Sequence, residues 1–436
     1  MIVCKFGGTS MATAETINKV KDIILSDPER KFIVVSAPGK RDSKDIKVTD
    51  LLYKAYDEQQ KNGSCKETLN KVRDRFVSLC ENLKIDLDIN PYIDEIAKQM
   101  PKTISADYAA SRGEYLAGIV MAKVLNFKFI DATEIIKFNA NGVFENELSN
   151  DLIKRLKNEK SGVVIPGFYG KMPDKSIKTF TRGGSDFTGA LIARGVNASL
   201  YENWTDVDGF SVANPQIVKN PKSMESLTYE ELRELSYMGA SVLHPDSIFP
   251  VKVEGIPIQI KNTFNPSAKG TMITKELHTK ENQPIVTGVA GRKHNTSVLL
   301  KKPMMNNEIG FARKVLSVFE RRCISVEHLP TGIDTMSVVF SNVLTKEEEA
   351  NLIEDLKIAV NPSFIEIEKN LSLIAIVGHG MASTKGTAAK VFTALANSDI
   401  NIILIDQGSS ELNIIVGVED KDFENAINAI YSAFYE

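Results

Sequence analysis

Between residues 1 and about 282, short continuous apolar runs alternate with longer stretches whose apolar residues recur at helical spacing. MIVCKF, KFIVVSAP, FKFIDAT, GVVIPGF, ASLYENWTD and IPIQIKN are the runs, and Ile17, Val20, Ile23 and Ile24 in ETINKVKDIILSD show the helical spacing between them. Strands without polar alternation must be covered on both faces, and the intervening helices supply the cover. The fold class expected is α/β, with a mostly parallel sheet sandwiched by helices. Ligands in such sheets bind beyond the carboxyl ends of the strands. Those ends carry glycine here, first in KFGGTS and then in SAPGK.

After about Pro284 the pattern becomes two similar units. TSVLLKK, IGFARKVLSVFERR, ISVEHLP, DTMSVVFSN and KEEEANLIEDLK are followed by LSLIAIVG, KGTAAKVFTALANSD, INIILID, ELNIIVGVE and DFENAINAIYSAF. Both read β-α-β-β-α, with Gly310 and Gly386 just before the first helix of each, an internal repeat of about 70 residues. SFIEIEK supplies a last strand to the first unit, and PIVTGVAG is available to the second, which nests one repeat inside the other. The expected division is 1–283, then 303–369, then 284–302 together with 370–436. A chain of 436 residues also exceeds what one core ordinarily serves.

A formal charge of −3 gives no support for a nucleic-acid or anionic-membrane partner. No apolar run approaches the ~20 residues of a membrane span, and no signal peptide precedes the first strand. Cys4, Cys65, Cys80 and Cys323 lack CxxC spacing, so neither a disulfide framework nor a metal site is expected. A reduced, cytoplasmic protein fits these features. The five histidines are scattered, none beside a nucleophile; the chemistry is expected to proceed without one.

Four stretches are Gly-rich or acidic. KFGGTS places Gly7 and Gly8 where backbone N–H groups can face an anion, with Lys5 beside them. Thr181 to Asp186 repeats glycines before a helix start, with Arg182 as a planar fork for a carboxylate. SRGE sets Glu114 in an otherwise apolar helix, and WTDVDGFSVANP ends a strand in an acidic loop. Each also has a plain structural reading: a tight turn at Gly7-Gly8, a surface charge at Arg182, a solvated Glu114, a helix cap at Asp186. Together they suggest a phosphorylated nucleotide beside a small zwitterion. The absence of GxxxxGK[ST] and of GxGxxG after the first strand argues against a P-loop enzyme and a Rossmann dehydrogenase.

KFGGTS, SRGE, TRGGSD, WTDVDG and VLHP occur in this order ahead of the two repeats. The combination, over essentially the whole chain, resembles aspartate kinases. The kind resembled is the monofunctional one, as no homoserine dehydrogenase half follows Glu436. The resemblance implies an amino-acid-kinase fold followed by two ACT domains. The reaction implied is phosphorylation of the L-aspartate side chain by ATP with Mg2+, the first step towards lysine, threonine and methionine. It implies Lys5 at the transferring phosphate with Gly7, Gly8 and Thr9, and Arg182 on the aspartate α-carboxylate. Glu114 would receive the ammonium, with Asp186 and Ser185 nearby and Thr49 meeting the substrate. Thr205, Asp206, Ser211 and Gln216 would lie against the nucleotide.

Two positions depart from the family pattern. Ser241 and Gln216 stand where a lysine and an arginine are usual, which raises the expectation of a substitute cation, Lys261 or Lys252. For regulation, the resemblance puts Met305, Ser325, Val326, Glu327 and Thr331 around an effector amino acid, lysine first and threonine second. Glu308 stands where a serine is often found. Paired ACT domains imply a homodimer or tetramer. The competing readings are a kinase of the same fold acting on glutamate and an amino-acid sensor without turnover.

Overall fold

In the computed structural model the residues described are 1–180, 183–240, 243, 245–276, 284–341 and 343–436, the side chains of residues 245 and 246 excepted. The chain divides into two compact units. The first comprises residues 1–210, 223–229 and 241–278, and the second residues 211–222, 230–240 and 279–436.

The strands are β1 (Ile2–Phe6), β2 (Arg30–Val35), β3 (Lys128–Phe129), β4 (Val163–Pro166), β5 (Tyr169–Lys171), β6 (Ile177–Thr179), β7 (Leu200–Thr205), β8 (Ser226–Thr228), β9 (Ile258–Asn262), β10 (Thr271–Thr274), β11 (Gly288–Lys301), β12 (Thr335–Phe340), β13 (Phe364–Val377), β14 (Leu404–Asp406) and β15 (Asn413–Glu419). In the first unit eight of them form one sheet, ordered β3-β4-β2-β1-β7-β9-β10-β8. Every described pairing in it is parallel except β10 with β9. The expected parallel sheet is therefore present, with a short antiparallel extension the apolar runs did not reveal.

Helix α1 (Ala14–Leu25) starts in a reciprocal Thr13–Thr16 capping box and buries Ile17, Val20, Ile23 and Ile24, the stripe read from spacing. Helices α2 (Val48–Asn62), α3 (Lys66–Leu83), α4 (Asn90–Gln99) and α5 (Ala106–Leu125) follow. Ser105 caps α5, and α5 packs against α2 and β4. Because α5 is covered on nearly all sides, even Ser111, Arg112 and Glu114 are buried.

In the second unit five strands are ordered β12-β11-β13-β15-β14. PIVTGVAG and TSVLLKK do not form separate strands. The second half of the first run and nearly all of the second lie in the single strand β11, which pairs with an equally long β13 along both halves. The pairing register shifts between Arg292 and Asn295, near His294 and Asn370, both of which have positive φ. A bulge there twists the ribbon and separates the two repeat cores. ISVEHLP is not a strand; it meets β12 through an isolated His328–Val339 bridge and through single backbone bonds of Glu327 to Val339 and of Ser337 to Pro330. The two glycines before the repeat helices sit at the N-caps of helices Phe311–Arg321 and Thr387–Asn397, with φ of 78° and 88°. An L side chain would be strained there.

Glu202 anchors the middle of the first sheet. It accepts from Arg30 at 2.9 and 3.1 Å, from Trp204 Nε1 at 2.9 Å and from Cys4 Sγ at 3.3 Å. Removing the cation would leave a buried carboxylate with too few partners. Arg30→Met is expected to lower the unfolding free energy by about 3 kcal/mol. A urea midpoint unchanged from the parent would remove this pair from the account of stability.

Candidate functional site

The site forms where β1, β2 and β7 end. β1 lies between the other two, with Lys5 opposite Asn203 on β7 and Val34 on β2. Lys5 Nζ is 2.6 Å from Asp186, in the first turn of helix Gly184–Val196. Asn203 donates to the same carboxylate at 2.9 Å, and Tyr201 Oη donates to the Asp186 carbonyl at 3.1 Å. The lysine is thus fixed by a carboxylate that is itself held by the neighbouring strand.

The turn after β1 differs in one respect from expectation. Gly7 N–H donates to the Trp204 carbonyl at 3.1 Å, extending the β1–β7 ladder, so it is not directed at an anion. The next amides, those of Gly8 and Thr9, are the ones left to face a phosphate. Gly8 accepts from Gly39 N–H at 2.7 Å, and a Cβ on Gly8 would lie 2.9 Å from the Ala37 carbonyl. Only glycine permits that approach of two strand-end turns.

Gly8, Thr9, Thr49 and Glu114 line a pocket of about 460 Å³ together with Ser36, Lys40 and Lys47. Thr9 and Thr205 each donate to Asp206 at 3.2 Å, placing these three at the adjoining strand ends. Ser185 is buried close to Gly167, at the end of β4. Arg182 and Ser241 lie outside the described residues. Ser211 and Gln216 belong to the second unit, where the Gln216 backbone donates to Asn214 at 2.9 Å. Lys261 reaches the Ala268 carbonyl at 2.6 Å and lies 5.5 Å from the Trp204 ring centre, with burial lowering its pKa. Lys252 lies on the short helix Phe249–Glu254.

Glu114 is the unusual group. It is 6 % exposed, one carboxyl oxygen has no hydrogen-bond partner among the described residues, and burial pushes its pKa up to about 8 despite a bond from the Ala37 backbone. At neutral pH it is mostly a neutral acid.

Sequence reasoning missed Asn203, Ser36, Lys40 and Lys47. Asn203 was discoverable as a polar residue inside the apolar run LYENW, and the lysines as part of the basic stretch KRDSKDIK after Pro-Gly. Among the described residues no group of three His, Cys, Asp or Glu side chains is placed to hold a metal ion. No described helix is long and apolar enough to cross a membrane.

In the second unit Met305 is buried, and Val326 packs against the same core. Ser325 and Thr331 are exposed. Glu327, expected as a strand-end charge open to a ligand ammonium, already carries partners. Arg292 pairs with it, Tyr237 Oη donates to it, and Ser341 donates at 3.1 Å. Glu308 is held by Lys302 at 2.5 Å and Lys314 at 2.7 Å, which lowers its pKa.

A model described as the amino acid kinase family matches residues 1–262, and one described as the ACT domain matches residues 374–434. The fold is that of an amino acid kinase. Aspartokinase 3 of Bacillus subtilis is 35% identical over 454 aligned positions, covering 100% of this chain and 99% of the relative. The crystal structure of Clostridium acetobutylicum aspartate kinase superposes with a TM-score of 0.94 at 49% identity, covering 100% of both chains. E. coli aspartokinase III, solved with aspartate and ADP and again with lysine and aspartate, gives TM-scores of 0.78 and 0.76 at 26% identity, each covering 100% of both chains. The chain belongs to the aspartokinases, the aspartate kinases of the amino acid kinase family.

The protonated Glu114 has a consequence for stability. Between its ordinary value near 4.5 and about 8, the folded protein keeps a proton that the unfolded chain has released. Stability therefore falls as pH rises through that window and the penalty is complete above it. Glu114→Gln is expected to match the parent near pH 5 and to exceed it at pH 8.5 by on the order of 4 kcal/mol. Thermal melts across this range test it; a pH-independent difference between the two proteins would refute a neutral Glu114.

Proposed function

We propose that this aspartate kinase transfers the γ-phosphoryl group of ATP to the side-chain carboxylate of L-aspartate, giving 4-phospho-L-aspartate and ADP. The carrying observation is Glu114, a buried carboxyl with an unpartnered oxygen, among the groups lining a pocket that begins at Gly8 and Thr9. A small ammonium-bearing substrate satisfies it. E. coli aspartokinase III bound to aspartate and ADP supports the same substrate pair.

The acceptor carboxylate has a pKa of about 4 and is ionised at neutral pH, so no general base is required. The barrier lies in bringing anions together, which positioning and electrostatics must lower. Lys5, held by Asp186, faces the transferring phosphoryl, with the Gly8 and Thr9 amides as donors. Glu114 takes the ammonium, Arg182 the α-carboxylate, and Thr49 and Ser185 flank the substrate. Thr205 and Asp206 border the nucleotide, with Ser211 and Gln216 assigned to it by resemblance. The donor set suits Mg2+ carried on phosphate oxygens, where it neutralises charge, better than a protein-built cage.

The product feeds lysine, threonine and methionine formation, and one of these amino acids, lysine first and threonine second, inhibits. E. coli aspartokinase III solved with lysine and aspartate supports that choice. The effector site is assigned to the repeat containing Met305, Ser325, Val326, Glu327 and Thr331, within two nested ACT domains that associate into a homodimer or tetramer. A lysine ammonium reaching Glu327 must compete with Arg292.

ADP release with Mg-ATP is expected to require L-aspartate, to fail with glutamate and to fall on adding lysine. Lys5→Ala is expected to lower kcat by about 10³. Turnover independent of aspartate would overturn the substrate assignment, and insensitivity to both lysine and threonine would overturn the effector. Because the bound ammonium requires ionised Glu114, aspartate affinity should rise roughly tenfold per pH unit up to about pH 8. A flat affinity profile from pH 6 to 8 would remove Glu114 from the ammonium site.

A further inference from the structure

The loop between β2 and α2 lines the pocket with Lys40, Asp42 and Lys47. Residues 40–44, 46 and 47 are exposed, and Ile46, the one large apolar side chain among them, is 49 % exposed. Nothing apolar anchors the loop, so its shape must be held by polar contacts.

Those contacts converge on Arg75 of α3, which is 4 % exposed. Its guanidinium donates to Asp45 at 2.7 Å, to the Ile46 carbonyl at 3.0 Å and to the Gly39 carbonyl. Asp45 in turn accepts from the Arg41 backbone at 2.9 Å and from the Arg41 side chain at 3.0 Å through each oxygen. Asp42 turns the loop tip by accepting from the Lys44 and Asp45 backbones at 2.8 and 3.1 Å. One buried cation therefore fastens the loop at both ends. The Gly39 whose carbonyl it holds is the residue whose N–H bonds Gly8.

We infer that Arg75 is a positioning residue for phosphoryl transfer. Clasping Gly39, Asp45 and Ile46, it fixes the Gly8 turn and presents Lys40 and Lys47 to the anionic groups of the bound substrates. This rests on the aspartate-kinase reading of the pocket. Lysine cannot replace Arg75, because an ammonium has no planar fork to span three acceptors. Lys40 and Lys47 supply positive charge on the aspartate side of the pocket, where two anions must be brought together.

The test compares the parent with Arg75→Lys, Asp45→Asn and Lys40→Met in the full chain. Two readouts are used, steady-state kinetics and trypsin cleavage within residues 40–47. Arg75→Lys and Asp45→Asn are expected to raise the aspartate KM about tenfold or more, beyond any change in kcat, and to speed loop cleavage by about tenfold. Lys40→Met should raise KM without speeding cleavage at the remaining basic sites. Adding Lys40→Met to Arg75→Lys should cost less than the product of the two single effects, since one acts through the other. If cleavage of the loop is equally slow in Arg75→Lys and the parent, the clasp is overturned, whatever the activity. If cleavage accelerates while KM stays within about twofold, the loop is held but does not serve binding, and the positioning role is overturned. A parent without aspartate-dependent turnover would retract the kinase reading instead. The clasp would then stand or fall on cleavage alone, and the positioning role would be rejected with the reading.

Discussion

Everything chemical in the first unit depends on β1 being hydrogen-bonded on both sides. Its five residues pair in parallel with β2 and β7. Parallel pairing brings three strands to their carboxyl ends at one level, and each end then turns into a loop carrying polar groups. Lys5, Asn203 and the Ser36–Gly39 turn meet only because that ladder sets their register. A slip of one residue in β1 would send Lys5 to the opposite face of the sheet and put Cys4 or Phe6 against Asp186. The buried Glu202 cluster, which ties β2 to β7 through Arg30, guards against that slip from the other side of β1.

The site handles its buried charges in two opposite ways. Lys5 and Asp186 form an ion pair, and Asn203 donates to the same carboxylate. Their joint burial is tolerable because each charge has the other as its partner. Among the described residues Glu114 has no such partner. Desolvation therefore wins, and the group protonates instead of remaining a lone buried anion. The first arrangement stores a fixed positive position, the second a negative charge that appears only when a cation arrives.

What could be read from the sequence follows from which signals are local. The apolar runs gave the strands of the central sheet, and the stripe Ile17–Val20–Ile23–Ile24 gave α1, because burial imposes those patterns directly. Lys5, Asp186 and Glu114 stood out for the same reason, as charges embedded in apolar segments. Arg75 and Asp45 did not. Both sit on stretches rich in charge, and what distinguishes them is a partner 30 residues away. Glu327 misled in the reverse direction, since a strand-end acid looks solvated until Arg292 and Tyr237 are seen on it. The fusion of two predicted strands into β11, and of two more into β13, escaped for a third reason. A bulge at His294 and Asn370 interrupts the pairing register without ending the strand.

The same distinction bears on how regulation could be built into the second unit. A free carboxylate at Glu327 would bind an ammonium ligand with no conformational consequence beyond the ligand's own contacts. A carboxylate already shared by Arg292, Tyr237 and Ser341 cannot. An effector ammonium taken at Glu327 would compete with a guanidinium that also lies 4.9 Å from the Tyr237 ring centre, and Tyr237 belongs to helix Tyr229–Tyr237. Binding and rearrangement of that helix end then become one equilibrium. The ligand's affinity is reduced by the free energy of opening the triad, and whatever favours the open triad raises ligand affinity by the same factor.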